Sequence, residues 1–341
     1  MMYRRIWPCL FGNQSGLGID IISPKPAKIS NPPQAFFLGR FGGASGFMAL
    51  RIDGSQAHIM TSISPPAIYL AGLPRSGTTW FGQAFSSAAT TSLVDEPFNY
   101  EYHPEALRYN MKYLDRNSND SSFGKILARA AKEDIFSRVS LRLPYRIQKM
   151  VRHTRKPGEQ VVIKDVHTLL SLERVWHEIQ PKIIVIMRHP AAVANSWNRL
   201  HKTADFSPQN ARLLEQTELV DQHLSGFVSH ITPKNDFFFN VGAYWGAVYY
   251  VVNKMLEKHR GDGWSHITHE HLCADPINNY RQLFESVGLK MTARAEGFLS
   301  RGNSSHESEK WRSAITQEQL DSVLEGVEPF GLMSQYYPRE I

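Results

Sequence analysis

From residue 66 onward, apolar positions fall into short unbroken runs separated by stretches of helical period. Residues 67–71 (Ala-Ile-Tyr-Leu-Ala) stop at Gly72, and an amphipathic stretch begins near Thr78, which predicts a strand, a glycine-containing turn and a helix. A second run, residues 160–164, ends in Lys-Asp-Val-His and leads into a helical pattern over 169–179. A third, residues 182–187, ends at Arg188, and Pro190 then opens a helix over 191–200. Further on, the pattern predicts a long aromatic-bearing helix over 242–259, a strand over 264–268 and a helix over 276–287 closed by Gly288. Polar helical segments over 104–113, 123–131 and 136–150 lie between the strands and would cover a ligand or shape a cleft. Strands alternating with helices predict an α/β fold, with a central parallel sheet flanked by helices in three layers and ligands at the strand carboxyl ends.

Residues 1–64 break this pattern. They hold eight glycines and no helical period, and read as a poorly ordered extension ahead of a single domain over 65–341. The segment suits either a transit peptide or a start placed upstream of the true one at Met48 or Met60. It also carries most of the chain's charge. The formal net charge is +6, but residues 1–60 hold six Lys/Arg against Asp20 and Asp53, leaving 32 basic and 30 acidic side chains for the remainder. That near-neutral remainder argues against nucleic acid as a partner and leaves room for one phosphorylated small molecule. The two cysteines, Cys9 and Cys273, are too few for a disulfide framework, so a reducing, cytoplasmic compartment is expected. No stretch approaches the roughly 18 apolar residues of a membrane span.

The turn after the first strand reads Gly72-Leu73-Pro74-Arg75-Ser76-Gly77-Thr78-Thr79-Trp80. Such a turn aims backbone N–H groups and a helix N-terminus at one point, which suits phosphate. It is similar to a nucleoside-triphosphate loop, but Thr78 stands where that motif places Lys, and the cation has moved back to Arg75. The strand over 182–187 ends in Arg188-His189 where a phosphoryl-transfer enzyme would hold a magnesium-binding Asp. A cation there suits a second phosphate.

With these features in place, residues 73–80 resemble the 5′-phosphosulfate loop of the sulfotransferase superfamily, and Arg188 with Ser196, eight residues on, resembles its 3′-phosphate site. His269-Glu270-His271-Leu272-Cys273-Ala274-Asp275-Pro276 and Glu309-Lys310-Trp311-Arg312 resemble two later family elements. The resemblance implies a P-loop-like fold, 3′-phosphoadenylyl sulfate (PAPS) as co-substrate, no metal, and a small-molecule or glycan acceptor. It further implies that Ser76, Gly77, Thr78 and Thr79 bind the 5′-phosphate and that Arg75 neutralises charge at the bridging oxygen. Trp80 would lie near the adenine, Arg188 and Ser196 would hold the 3′-phosphate, and Arg301-Gly302 would add contacts there.

Sulfuryl transfer needs a base, a clamp and a stabiliser of the leaving group. Arg75 and the loop amides fit the last task, and Lys164 fits the clamp. For the base, Glu96 in Val94-Asp95-Glu96-Pro97-Phe98 is favoured over His167, since it matches the carboxylate of the carbohydrate and tyrosyl-protein members. His167 matches the histidine of the cytosolic members, one residue further from its lysine than their pattern has it. Asp165 reads as a structural cap. Arg146, Lys149, Arg152, His153, Arg155 and Lys156 form a solvated helix face or a guide for an anionic acceptor. The aromatics Phe237, Phe238, Phe239, Tyr244 and Trp245 read as core or as an apolar acceptor wall. Two other readings compete: a kinase or nucleoside triphosphatase on the same loop, and a binder of adenine bisphosphate without catalysis.

Overall fold

The computed structural model describes residues 66–101, 103–132, 159–200, 205–301 and 308–338, together with three strands nearer the N-terminus. The chain divides into two units, residues 1–63 and 64–341. In the first, where a poorly ordered extension was expected, β1 (Phe36–Arg40), β2 (Phe47–Asp53) and β3 (Gln56–Met60) form an antiparallel sheet in the order β1-β2-β3. Asp53 pairs with Gln56. A Gly-Ser pair between apolar-rich runs is a hairpin signal that the sequence carries.

The second unit is built on five strands: β4 (Ile68–Ala71), β5 (Thr91–Asp95), β6 (Gln160–Asp165), β7 (Lys182–Met187) and β8 (Trp264–Thr268). Their order is β5-β6-β4-β7-β8, and every neighbouring pair is parallel. Alternate residues on these strands feed two separate cores. Tyr69, Ala71, Ile163, Ile183 and Val185 enter one, whereas Ile68, Leu70, Val162, Ile184 and Ile186 enter the other. A strand with both faces buried is mainly apolar, which is why β4, β7 and the middle of β6 read as runs and not as alternations. The first core is closed by helices Pro190–Leu200, Phe237–Lys258 and Gln317–Val327, the second by Thr78–Ser87, Pro276–Val287 and Ala293–Leu299. The result is a three-layer α/β fold.

Most expected elements appear close to their expected bounds. Strand β5 and the helices Ser207–Leu214, Ala293–Leu299 and Gln317–Val327 were not expected. The segment expected as a helix over 104–113 is a short 3-10 turn, Pro104–Tyr109. The long helix begins at Phe237, five residues early, because Asp236 caps it by accepting the backbone N–H groups of Phe238 (2.9 Å) and Phe239 (3.1 Å). The helix expected over 136–150 and the basic cluster Arg146 to Lys156 lie outside the described residues. Of the aromatic run, Phe239, Tyr244 and Trp245 are buried, the last two in the first core. Among the described residues no helix is long and apolar enough to cross a membrane.

Candidate active site at the carboxyl edge of the sheet

Because all five strands run the same way, the segments that follow them converge on one edge. Reading along the strand order, that edge carries Glu96 after β5, Lys164 and His167 at the end of β6, the loop 72–77 after β4, Arg188 after β7 and His269 after β8.

The loop is fixed by backbone demands. Arg75 adopts φ 76° and Gly77 φ 85°, both left-handed. For Arg75 that conformation costs about 1 kcal/mol or more. At Gly77 a Cβ would sit 2.5 Å from the His269 ring, and at Gly72 it would sit 2.7 Å from Ile186. Glycine is therefore required twice, for approach as well as for angle. Gly77 is the N-cap of helix Thr78–Ser87 and supplies no side-chain cap, which leaves the first-turn amides for a ligand. Ser76 and Thr78 are buried, and Thr79 is exposed.

Sequence reasoning missed what holds this loop. The Tyr249 hydroxyl accepts the N–H of Leu73 at 3.1 Å, lies 3.4 Å from Ser76 Oγ and donates to the carbonyl of Ile186 at 3.0 Å. One helical turn earlier, Trp245 Nε1 donates to the carbonyl of Arg188 at 3.0 Å. The sequence shows only an i, i+4 aromatic pair on a buried helix, which reads as core.

Arg75, Ser196 and Arg188 come together. Arg75 Nε donates to Ser196 Oγ at 2.8 Å, and an Arg188 amino group donates to the carbonyl of Arg75 at 3.1 Å. Burial works against both guanidinium charges, and each is further opposed by another arginine, Arg199 for Arg75 and Arg75 for Arg188. Arg188 Nε is buried and has no hydrogen-bond partner among the described residues. A buried donor left in that condition costs about 1–3 kcal/mol, so the arrangement is suited to an incoming anion. Behind it, Glu270 accepts the N–H of His189 at 3.0 Å and the Tyr337 hydroxyl at 3.2 Å, while the His189 ring stacks on Trp311 at 4.5 Å. The two later motifs thus brace the segment carrying Arg188. Arg301 is exposed, and Gly302 lies outside the described residues.

On the other side of the loop, Lys164 is 2% exposed and its ammonium lies 2.7 Å from Asp95 and 2.6 Å from Glu96. Burial opposes that charge, but the two carboxylates outweigh it and hold the lysine above its ordinary pKa. The register pairing Asp95 with Lys164 brings these residues together. Glu96 takes φ 51°, donates its N–H to the carbonyl of Lys164 and accepts from Asn99 Nδ2 at 2.7 Å. Both of its carboxylate oxygens are therefore engaged.

His167 is held differently. Its Nδ1 lies 3.0 Å from Asn110 Oδ1, and its ring meets Tyr100 edge-on at 5.5 Å. Since Oδ1 only accepts, Nδ1 is the donor of this pair, and Nε2 is buried with no partner among the described residues. Asp165 is structural, accepting the N–H groups of Phe98 (3.0 Å), His167 (2.7 Å) and Thr168 (3.2 Å). Burial raises its pKa, partly countered by His167 and those amides. Trp80 packs on the second core, 5.4 Å from Tyr280 and 5.3 Å from Phe298 between ring centres.

The sequence pattern of the sulfotransferase family matches residues 66–293, and the chain belongs to that family. Among solved structures it is similar to mouse sulfotransferase SULT7A1 complexed with PAP, with 12% identity, a TM-score of 0.40 and coverage of 80% of this chain and 90% of that one. It is also similar to the sulfotransferase domain of the curacin biosynthetic pathway, with 15% identity, a TM-score of 0.47 and coverage of 81% and 99%. A third similar structure is sulfotransferase STF9 from Mycobacterium avium, with 11% identity, a TM-score of 0.42 and coverage of 81% and 78%. No curated protein matches the chain by sequence.

Proposed function

We propose that this chain transfers a sulfuryl group from 3′-phosphoadenylyl sulfate to a hydroxyl or amine of a small-molecule or glycan acceptor. The observation that carries the reading is Arg188 Nε, a buried and unpartnered donor beside the loop, with Arg75 and Ser196 already joined next to it. A donor with phosphate at both its 5′ and 3′ positions meets the loop amides at one and the Arg188–Ser196 pair at the other. It supplies an activated sulfuryl group with adenosine 3′,5′-bisphosphate as the leaving group.

Ser76, Gly77, Thr78 and Thr79 bind the 5′-phosphate in this reading, with Arg75 offsetting the charge that grows as the bridging S–O bond breaks. Trp80 supports the adenine side. Lys164 clamps the sulfuryl oxygens, its charge secured by Asp95 and Glu96. His167 takes the acceptor proton through Nε2, while Asn110 keeps the required tautomer. Glu96 is the alternative base. His167 is preferred to Glu96, the base the sequence favoured, because Nε2 has no partner among the described residues, whereas both Glu96 oxygens are in use.

Calorimetry with adenosine 3′,5′-bisphosphate, and with ATP plus Mg²⁺, tests the donor. Metal-dependent ATP binding without bisphosphate binding would favour the kinase reading and sink this one. A labelled-sulfate donor screened against sugar, lipid, metabolite and tyrosyl-peptide acceptors then identifies the acceptor class. Loss of turnover with retained bisphosphate binding in His167→Ala, together with residual turnover in Glu96→Gln, separates the two bases and separates an enzyme from a binder.

A further inference from the structure

A cavity of about 250 Å³ lies against helix Phe237–Lys258, lined among others by Tyr113, Arg116, Glu173, His223, Lys254 and Lys258. None of its residues belongs to the site described above. Of its charged lining, Asp115 and Glu173 are outnumbered by Arg116, Lys254 and Lys258, and both carboxylates already have hydrogen-bond partners. Glu173 pairs with Lys258 at 2.7 Å, and Asp115 accepts the N–H of Asn117 at 3.0 Å and the hydroxyl of Ser118 at 2.8 Å. The cations are not balanced in the same way. Lys254 lies over the Tyr250 ring at 4.4 Å, and among the described residues neither Lys254 nor Arg116 has a carboxylate partner.

The third component is an acceptor. The Tyr113 hydroxyl donates to Gln222 Oε1 at 2.8 Å, so its oxygen receives the N–H at His223 Nε2, 2.9 Å away. That fixes the tautomer and leaves a lone pair on His223 Nδ1, which is buried without a partner among the described residues. His223 belongs to a single π-helical turn, Val220–Leu224, a distortion that recurs at functional sites. Burial, reinforced by Lys254, keeps the imidazole neutral.

We propose that this cavity binds a small hydroxylated organic anion, of the sugar-phosphate or hydroxy-acid class. The anionic group meets Lys254 and Arg116, and a hydroxyl donates to His223. The volume lies just below the roughly 300–1,000 Å³ of pockets for drug-sized ligands, which favours a molecule of a few carbons over a nucleotide.

The test is calorimetric titration of the full chain with glycerol 3-phosphate, malate and inorganic phosphate, each with adenosine 3′,5′-bisphosphate saturating. Binding of glycerol 3-phosphate or malate, tighter than that of inorganic phosphate, is expected; which of the two is tighter tells sugar phosphate from hydroxy acid. Combined Lys254→Gln and Arg116→Gln should weaken it at least about tenfold with no change in melting temperature, because both side chains are exposed. Absence of binding by both organic anions, affinity unchanged in the double variant, or inorganic phosphate binding equally well overturns the proposal. The cavity shares no residue with the nucleotide site, so the titration reads out even if the bisphosphate fails to bind.

Discussion

The hydroxyl of Tyr249 stands between the N–H of Leu73 and the carbonyl of Ile186, at 3.1 and 3.0 Å, and so ties the start of the phosphate loop to strand β7. Burial raises this phenol to about 12, so it stays protonated and keeps its donor role throughout the neutral range. Tyr249→Phe leaves a buried N–H and a buried carbonyl without that partner, a loss of about 1–3 kcal/mol. The expected result is a lower melting temperature together with weaker adenosine 3′,5′-bisphosphate binding, because the loop it holds is the one proposed to meet the 5′-phosphate. Unchanged affinity in a folded variant would show that the loop holds its shape without the tyrosine.

The runs at β4, β6 and β7 were legible because strands buried on both faces are mainly apolar, and Arg75, Lys164 and Arg188 stand at or just after their ends. Strand β5 was not, since Thr91-Ser92-Leu93-Val94-Asp95 is short and half polar, and only pairing with β6 makes it a strand. Missing β5 hid the partnership of Lys164 with Asp95 and Glu96, which are near neighbours only through strand register. Tyr249 was hidden for a different reason. An aromatic on a buried helix looks like core until the loop lying against it is known.

Gly77 is the loop's tightest point. Alanine there combines φ 85° with a Cβ 2.5 Å from the His269 ring, so Gly77→Ala should destabilise the chain by about 1–3 kcal/mol. His269→Ala in the same chain relieves the collision but not the backbone strain. Denaturant midpoints of both single variants and the double should therefore show partial rescue, and strict additivity would contradict the contact.

Lys164 separates two carboxylates, and without it Asp95 and Glu96 face each other uncompensated. Lys164→Met should cost about 3 kcal/mol, the usual scale for removing one partner of a buried ion pair. Adding Asp95→Asn should recover part of that loss, because it removes one of the opposed charges. Thermal melts at pH 7 decide this, and a Lys164→Met chain as stable as the parent would mean that the ion pairs contribute little.

Asn110 fixes the His167 tautomer through a neutral acceptor. Asn110→Asp replaces that acceptor with a carboxylate, which favours the charged imidazole. If His167 is the base, the acidic limb of the pH–rate profile moves to higher pH, while bisphosphate affinity at pH 8 stays near that of the parent. A profile that does not move in Asn110→Asp but does move in Glu96→Gln assigns the base to Glu96.

His269 lies buried against Gly77, and burial first, then the Arg188 charge, pushes its pKa down to about 3. The unfolded chain binds a proton at this residue near pH 6.5, and the folded chain does not until far lower. Between those values the unfolded state holds more protons, so stability must fall as pH falls. By pH 5 this residue alone should remove about 2 kcal/mol. Glu270, whose pKa burial raises, works in the opposite sense but is common to parent and variant. Urea denaturation at pH 7 and pH 5 should therefore show a larger acid loss for the parent than for His269→Gln. Equal losses would mean that the folded chain accommodates the imidazolium beside the loop, and that Arg188 and His269 tolerate each other's charge.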